Sequence, residues 1–243
     1  MITNIMPRPR PNIRVMTWNI HGGVGPDRRR DLQRVIEFVK KHEPHILALQ
    51  EIDTRGRSPG APDAFDFLGQ ELGGHICASR VLRSAEGDYG HAVISCWPMA
   101  TGRNHDISFK RREPRVAIET VVETPYGPLQ VVAAHLGLNF RERHYQSEKL
   151  VQIVQKGASR SVLLGDLNDW IARGMVRRVL DRQFPGHTHL KTFPAFRPVL
   201  PLDRVYCHPR SMLSQCQTDR QARFASDHLP VIADLVWEYG DRT

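Results

Sequence analysis

Cysteine is scarce and scattered: Cys77, Cys96, Cys207 and Cys216 form no Cys-x-x-Cys pair among 243 residues. That excludes a disulfide framework and argues against a structural zinc site. Long apolar runs are also missing; no window approaches the ~18 residues of a membrane-spanning helix. The opening MITNIMPRPRPN has no apolar stretch of signal-peptide length and does not read as a secretory signal. Its prolines and arginines predict an extended tail over residues 1–12, ahead of a single domain over 13–243, and the expected location is the cytoplasm. There is no internal repeat, low-complexity block or domain-splitting linker. Acids are the other shortage: 26 Asp and Glu against 34 Lys and Arg leave a net charge of +8 and a pI near 9.7. Such a field favours nucleic acid, phospholipid headgroups or phosphate esters without choosing among them. The rest of the composition, 40% hydrophobic and 25% charged, is that of an ordinary globular chain and excludes disorder.

The apolar pattern gives many strands and few helices. Strands are expected over 13–19, 45–50, 90–96, 115–123 and 128–135, in SVLLGD and LDRVYC, and in the closing LPVIADLVW. Leu32, Val35, Ile36 and Val39 repeat at helical spacing, predicting an amphipathic helix over 31–41. Further helices are expected over 65–73, about 141–157 and 172–182. Several strand pairs are adjacent in sequence, which does not suit a purely parallel sheet. The pattern predicts an α/β (α+β) chain with two packed mixed β-sheets flanked by helices, a four-layer α/β/β/α sandwich.

The unusual polar residues fall at strand ends. Asn19 follows VMTW, Glu51 follows ILALQ, His135 follows VVAA and Asp166 follows VLLG. Asp203 precedes RVYC, Asp227 and His228 precede LPVIADLVW, and His91 precedes AVIS. If the first group of strands runs up and the second down, all of them meet on one rim, with Asn168 just beyond Asp166. Each has a plain structural alternative as a turn former, cap or surface charge. They would all have to hold together. No paired histidines lie at i, i+4 and no thiolates are near, so oxygen ligands point to magnesium or manganese rather than zinc. A divalent cation with a carboxylate-oriented histidine and amide donors suits hydrolysis of a phosphate ester.

The series Trp18-Asn19, Leu49-Gln50-Glu51, Ala134-His135-Leu136, Gly165-Asp166-Leu167-Asn168-Asp169, Leu202-Asp203-Arg204 and Ser226-Asp227-His228-Leu229-Pro230 resembles the endonuclease/exonuclease/phosphatase family. That family includes DNase I-like nucleases, apurinic endonucleases, neutral sphingomyelinases and inositol-polyphosphate phosphatases. The resemblance spans residues 13 to 237 and is closer to small bacterial members of unassigned substrate. It implies the DNase I-like fold and a Mg2+ or Mn2+ cofactor. Glu51 is implied as principal metal ligand, with Asn19 and Asp227 contributing to the metal shell. Asp203 is implied to orient His228, Asp166 to align or deprotonate water, and Asn168 to stabilise the transition state. His135 is implied near the leaving group as acid or phosphate donor. Whether Asp166 or His228 takes the proton stays open.

Two departures from the family pattern narrow the reading. Histidine at 135 and at 21 replaces the tyrosine and aspartate of the apurinic endonucleases, and His91 stands where Asn is usual. His21 and His91 are therefore expected to bind substrate. So are residues of the basic clusters Lys110-Arg111-Arg112 with Arg115, and Arg141 with Arg143; Arg28-Arg29-Arg30 forms a third. Arg111, Arg112 and Arg143 are singled out among these. Other phosphoesterase motifs fail: Lys191 and Thr192 break a metallo-β-lactamase-like pattern, Phe196 a phospholipase D-like one, and nothing calcineurin-like follows Asp166. The expected partner is a phosphate-ester substrate, in nucleic acid or a phospholipid headgroup; the alternative is a catalytically inactive anion- or nucleic-acid-binding module on the same fold. Oligomeric state is not readable.

Overall fold

Alternation along the first strand, β1 (Asn12–Asn19), sets the layers. Ile13 and Val15 face one core while Met16 and Trp18 face another, so this strand is buried on both sides. The computed structural model describes residues 12–56, 60, 62–154, 159–171 and 174–237. The expected tail, apart from Asn12, lies outside them.

β1 pairs in parallel with β2 (Ile46–Asp53) and antiparallel with β12 (Val231–Val236). β4 (Gly87–Ser95) and β3 (His75–Ser84) continue the sheet beyond β2, and β11 (Leu213–Gln217) closes its other edge. The second sheet is centred on β7 (Gly127–His135) and β8 (Ser161–Asp166), which run parallel. β6 (Val116–Thr124) and β5 (Arg103–Asp106) extend it one way, and β10 (Asp203–His208) and β9 (Gly186–His187) the other. The two six-stranded mixed sheets are those of the expected four-layer sandwich.

Three apolar layers hold it. Between the sheets, Val15, Ile46 and Val93 meet Val131, Val162, Leu164 and Val205; a fully buried Val or Leu of this kind contributes about 1.5–3 kcal/mol relative to exposure. Outside the first sheet lie α1 (Leu32–His42) and α2 (Ala64–Leu72), which pack Val35, Ile36 and Phe65 against Trp18 and Leu49. Outside the second lie α3 (Phe140–Val154) and α4 (Met175–Gln183), with Leu150, Ile153 and Leu180 against Val132, Leu163 and Tyr206. Asp31 caps α1 by accepting from the Gln33 amide, and Asp63 caps α2 by accepting from Phe65 and Asp66. The four cysteines are free, and among the described residues no helix is long and apolar enough to cross a membrane.

Four strands were not expected from the sequence: β3, β5, β9 and β11. All are sheet edges. Edge strands carry polar residues that discourage pairing with other chains, so the apolar signature of a strand is weak there. β4 also begins at Gly87, three residues earlier than the expected 90, so His91 lies well inside it.

Gly165 lets β7 and β8 close on each other beneath the rim. A Cβ there would stand 1.9 Å from the Ala134 carbonyl oxygen. Gly165→Ala is expected to destabilise the fold by about 1–3 kcal/mol through forced separation of the strands, checked by urea unfolding.

Candidate active site

The same alternation carries polar side chains to one opening. Asn19 shares the inward parity of Ile13 and Val15, His135 that of Val131 and Ala133, Asp166 that of Val162 and Leu164, and Asp203 that of Val205. Strand register sets them side by side: His135 is paired with Asp166, and Asp166 with Asp203. Glu51 arrives by a different route. Leu49 pairs with Ala92 and Ile52 with Gly90, so Gln50 and Glu51 together oppose the single His91. This is a β-bulge, with Glu51 at φ 58°, and it re-aims the carboxylate into the opening.

The groups interlock. The Asn19 side-chain amide donates to Glu51 Oε1 (2.8 Å) and to Asp166 Oδ2 (3.0 Å), bridging the two carboxylates. Asp203 Oδ2 accepts from His228 Nδ1 at 2.8 Å, which leaves His228 Nε2 directed at Asp166 Oδ2, 3.8 Å away. The His228 backbone is tied to β1: its carbonyl accepts from the Trp18 indole, and its N–H donates to Ser226 Oγ, which itself donates to the Asn19 carbonyl. Asn168, at φ 49°, donates its backbone N–H to Asp166 Oδ1 and its side-chain amide to the Leu136 carbonyl. Glu51, His135, Asp166, Asn168 and His228 share a cleft of about 390 Å³ with Tyr89, Glu113, Trp170 and Phe193.

Arg115, which the sequence placed only within a basic cluster, fixes the state of His135. Its guanidinium stands 3.3 Å from His135 Nδ1. A guanidinium has no acceptor, so Nδ1 must be unprotonated and the proton must sit on Nε2. That nitrogen faces Asp166 Oδ2 (3.6 Å) and Glu51 Oε1 (3.9 Å). Burial, with Arg115 adding to it, pushes His135 down to about 3. With Nδ1 turned to the guanidinium, His135 is left to donate from Nε2 toward the cleft. Continuing the hairpin register past Ala117 opposite Ala134 puts Val116 opposite His135, so strand counting brings Arg115 only next to that position, and its contact with His135 is a tertiary feature.

The remaining charges divide sharply. Burial works to raise Glu51, yet its contacts with His21 and Asn19 hold it down to about 2, an anion. Burial, then the charge of Asp203, pushes the Asp166 carboxyl up. Burial opposes the His228 cation, but Asp203 and Asp166 outweigh it and hold the ring at about 10. His21 is raised by its contact with Glu51 against partial burial.

Not every expected residue reaches the carboxylates. His21 does, with Nδ1 3.5 Å from Glu51 and 3.9 Å from Asp227, which is exposed at the mouth. His91 is buried beneath the opening with Nε2 unpartnered, and burial lowers it to about 4. Arg143 is buried and turned inward, donating to the Gly137 and Leu138 carbonyls and stacking on Trp170. It clamps the loop after His135. Arg111 and Arg112 line a neighbouring cleft of about 750 Å³ with Phe109, Asn139, Phe140 and Arg141.

The donor chemistry fits a hard divalent cation. Glu51 offers an ionised carboxylate at the cleft, with Asp166 beside it, and no thiol lines the opening. The ligand atoms of Asp166, Asp203 and His228 also lie within 4.8 Å of one another and could hold an ion. In that group, however, His228 and Asp203 are already bonded to each other.

The sequence model of the endonuclease/exonuclease/phosphatase family matches residues 16–228. The chain belongs to that family. Members of the endonuclease/exonuclease/phosphatase family hydrolyse phosphoester bonds, typically phosphodiesters of nucleic acids and similar substrates, and commonly use a divalent metal. The uncharacterized protein YbhP of Escherichia coli (strain K12) is 29% identical over 92% of this chain and 96% of its own length. A family member from Beutenbergia cavernae superposes with a TM-score of 0.75 at 22% identity, covering 94% of this chain and 72% of that one. The human Nocturnin catalytic domain, solved with a bound sulfate anion, gives 0.72 at 20% identity and covers 94% of each chain. At these identities the superpositions speak for the fold alone.

Proposed function

We propose that the chain is a divalent-metal-dependent phosphodiesterase that cleaves its substrate by attack of water. The observation that carries the reading is the His228–Asp203 pair, bonded at 2.8 Å and aimed across the cleft at Asp166 beside Glu51. Glu51 would hold Mg2+ or Mn2+, with Asp227 at the mouth and Asn19 keeping the carboxylate in place. When bound, the cation would polarise a phosphoryl oxygen and neutralise charge on the leaving oxygen.

The chain's own groups do the rest. Asp166 lies at the cleft floor with Oδ1 fixed by the Asn168 amide and Oδ2 turned toward both imidazoles. Raised above the ordinary carboxylate range, it suits aligning water and accepting its proton. His228, a cation held by Asp203, donates from Nε2 to a phosphoryl oxygen. His135 donates from Nε2 as a neutral group, which favours its place near the leaving oxygen. The second N–H of the Asn168 amide is available to an equatorial oxygen. The substrate class, a phosphodiester in nucleic acid or in a phospholipid headgroup, follows from the basic surface and the family.

Bis-p-nitrophenyl phosphate, plasmid DNA and a phospholipid, assayed side by side with Mg2+ or Mn2+, test the reading. Chelation should reduce hydrolysis by about 10³-fold or more, and added metal should restore it. Hydrolysis that ignores EDTA would remove the metal from the mechanism.

A further inference from the structure

The exposed apolar residues are not spread over the molecule. Of the nine large hydrophobic side chains exposed among the described residues, only Ile76 lies away from the rim. Leu138 and Phe140 leave the His135 strand end; Trp170, Ile171 and Met175 leave the Asp166 strand end. Phe196 and Val199 occupy the segment leading into Asp203, and Phe224 the one leading into Asp227. Exposure is high, 71% for Leu138 and 79% for Phe196. Two clefts tie them to the site. Leu138 and Trp170 line the one floored by Glu51 and Asp166, and Phe196 and Phe224 line an apolar one of about 470 Å³ that ends at His21 and Asp227.

Cations are interleaved with these side chains. Lys110, Arg111 and Arg112 stand beside Phe140, and Arg197 beside Phe196. Arg141 lies over Phe140 at 5.6 Å and Arg223 over Phe224 at 4.9 Å. Among the described residues none of these cations is paired with a carboxylate. A monomeric protein rarely gathers its exposed apolar residues on one face without a partner for it. Aromatic tips mixed with unpaired cations match the boundary of an anionic bilayer, where rings settle at headgroup level and cations meet lipid phosphate.

We propose that the rim docks on an anionic phospholipid surface, bringing the cleft to the headgroup plane. The docking is a binding property and stands apart from whether the site hydrolyses anything. A nucleic-acid partner would use the cations but gives less reason for exposed Leu138, Val199 and Met175, which offer no ring for base stacking.

The test is co-sedimentation of the full chain, with chelator present, on vesicles of phosphatidylcholine alone or mixed with phosphatidylglycerol. Binding is expected only to the mixed vesicles, accompanied by a shift of tryptophan emission to shorter wavelength. Trp170 is 44% exposed on the rim, whereas Trp18 and Trp237 are buried and Trp97 is stacked on His45. Trp170→Phe should therefore abolish the shift while sedimentation persists. Phe196→Ser with Phe224→Ser, both at exposed positions, should weaken binding about tenfold or more. Arg111→Ala with Arg112→Ala should weaken it about thirtyfold. No binding to the mixed vesicles would overturn the proposal. So would binding that leaves Trp170 emission and the double phenylalanine variant unaffected, since that is adsorption by charge alone. If a single-stranded oligonucleotide moves Trp170 emission and the vesicles do not, the face belongs to nucleic acid.

Discussion

Glu51→Gln is expected to lower kcat/KM by about 10³-fold, the scale of several kcal/mol that a bound cation supplies to a phosphoryl transition state. The amide has nearly the shape of the carboxylate. Its oxygen can still accept from Asn19, and its NH2 can face His21 Nδ1, so the bulge at Gln50 and Glu51 and the thermal midpoint should hold. What disappears is the negative charge, which the native site keeps down to about 2 despite burial. Titration with Mn2+ should show weaker binding, and excess metal should recover part of the activity. Full activity of the variant at ordinary Mg2+ would end the assignment of Glu51 as ligand.

Much of this site was legible because strand periodicity is simple. Asn19, His135, Asp166 and Asp203 each terminate or begin an apolar run, and an alternation of two fixes the face they point to once the run is recognised as a strand. Glu51 fell at the right place for a less regular reason. Strict alternation after Leu49 and Gln50 would send it outward with Leu49, and only the bulge opposite His91 returns it to the cleft. No single-sequence periodicity announces a bulge.

Long side chains were harder to place than strand ends. Arg111, Arg112 and Arg143 looked equivalent as cations near the rim, yet the first two stay exposed in a neighbouring cleft while Arg143 is buried against backbone carbonyls. The direction of an arginine depends on which carbonyls the loop leaves unpaired, and this is a tertiary property. The edge strands β3, β5, β9 and β11 escaped because polarity at an edge serves the fold while it erases the apolar pattern.

Asp166→Asn and Asp203→Asn should differ, and the difference identifies the proton acceptor. Asp166→Asn removes the proposed base outright and is expected to cost about 10³–10⁴-fold in kcat, toward the upper end for general-base catalysis. In the metal-free protein the same variant should lose the native chain's decline of stability with rising pH. The native carboxyl is raised by burial and by Asp203, so the folded state holds a proton that the unfolded state has already released above the ordinary carboxylate range. Stability is therefore lost as pH rises through that interval, and Asn escapes the loss. Asp203→Asn acts on His228. Asn can present its NH2 to Nδ1, which leaves the imidazole neutral with its proton on Nε2. That tautomer still donates to a phosphoryl oxygen, but without full charge, and a neutral bond is roughly half as strong as a charge-assisted one. A loss of about 10²-fold is expected, smaller than that of Asp166→Asn. If His228 were the base, the ranking would invert: an Nε2 already carrying its proton cannot accept another from water, and Asp203→Asn would be the more damaging change. Rate against pH for the two variants, with unfolding curves measured in EDTA, separates these outcomes.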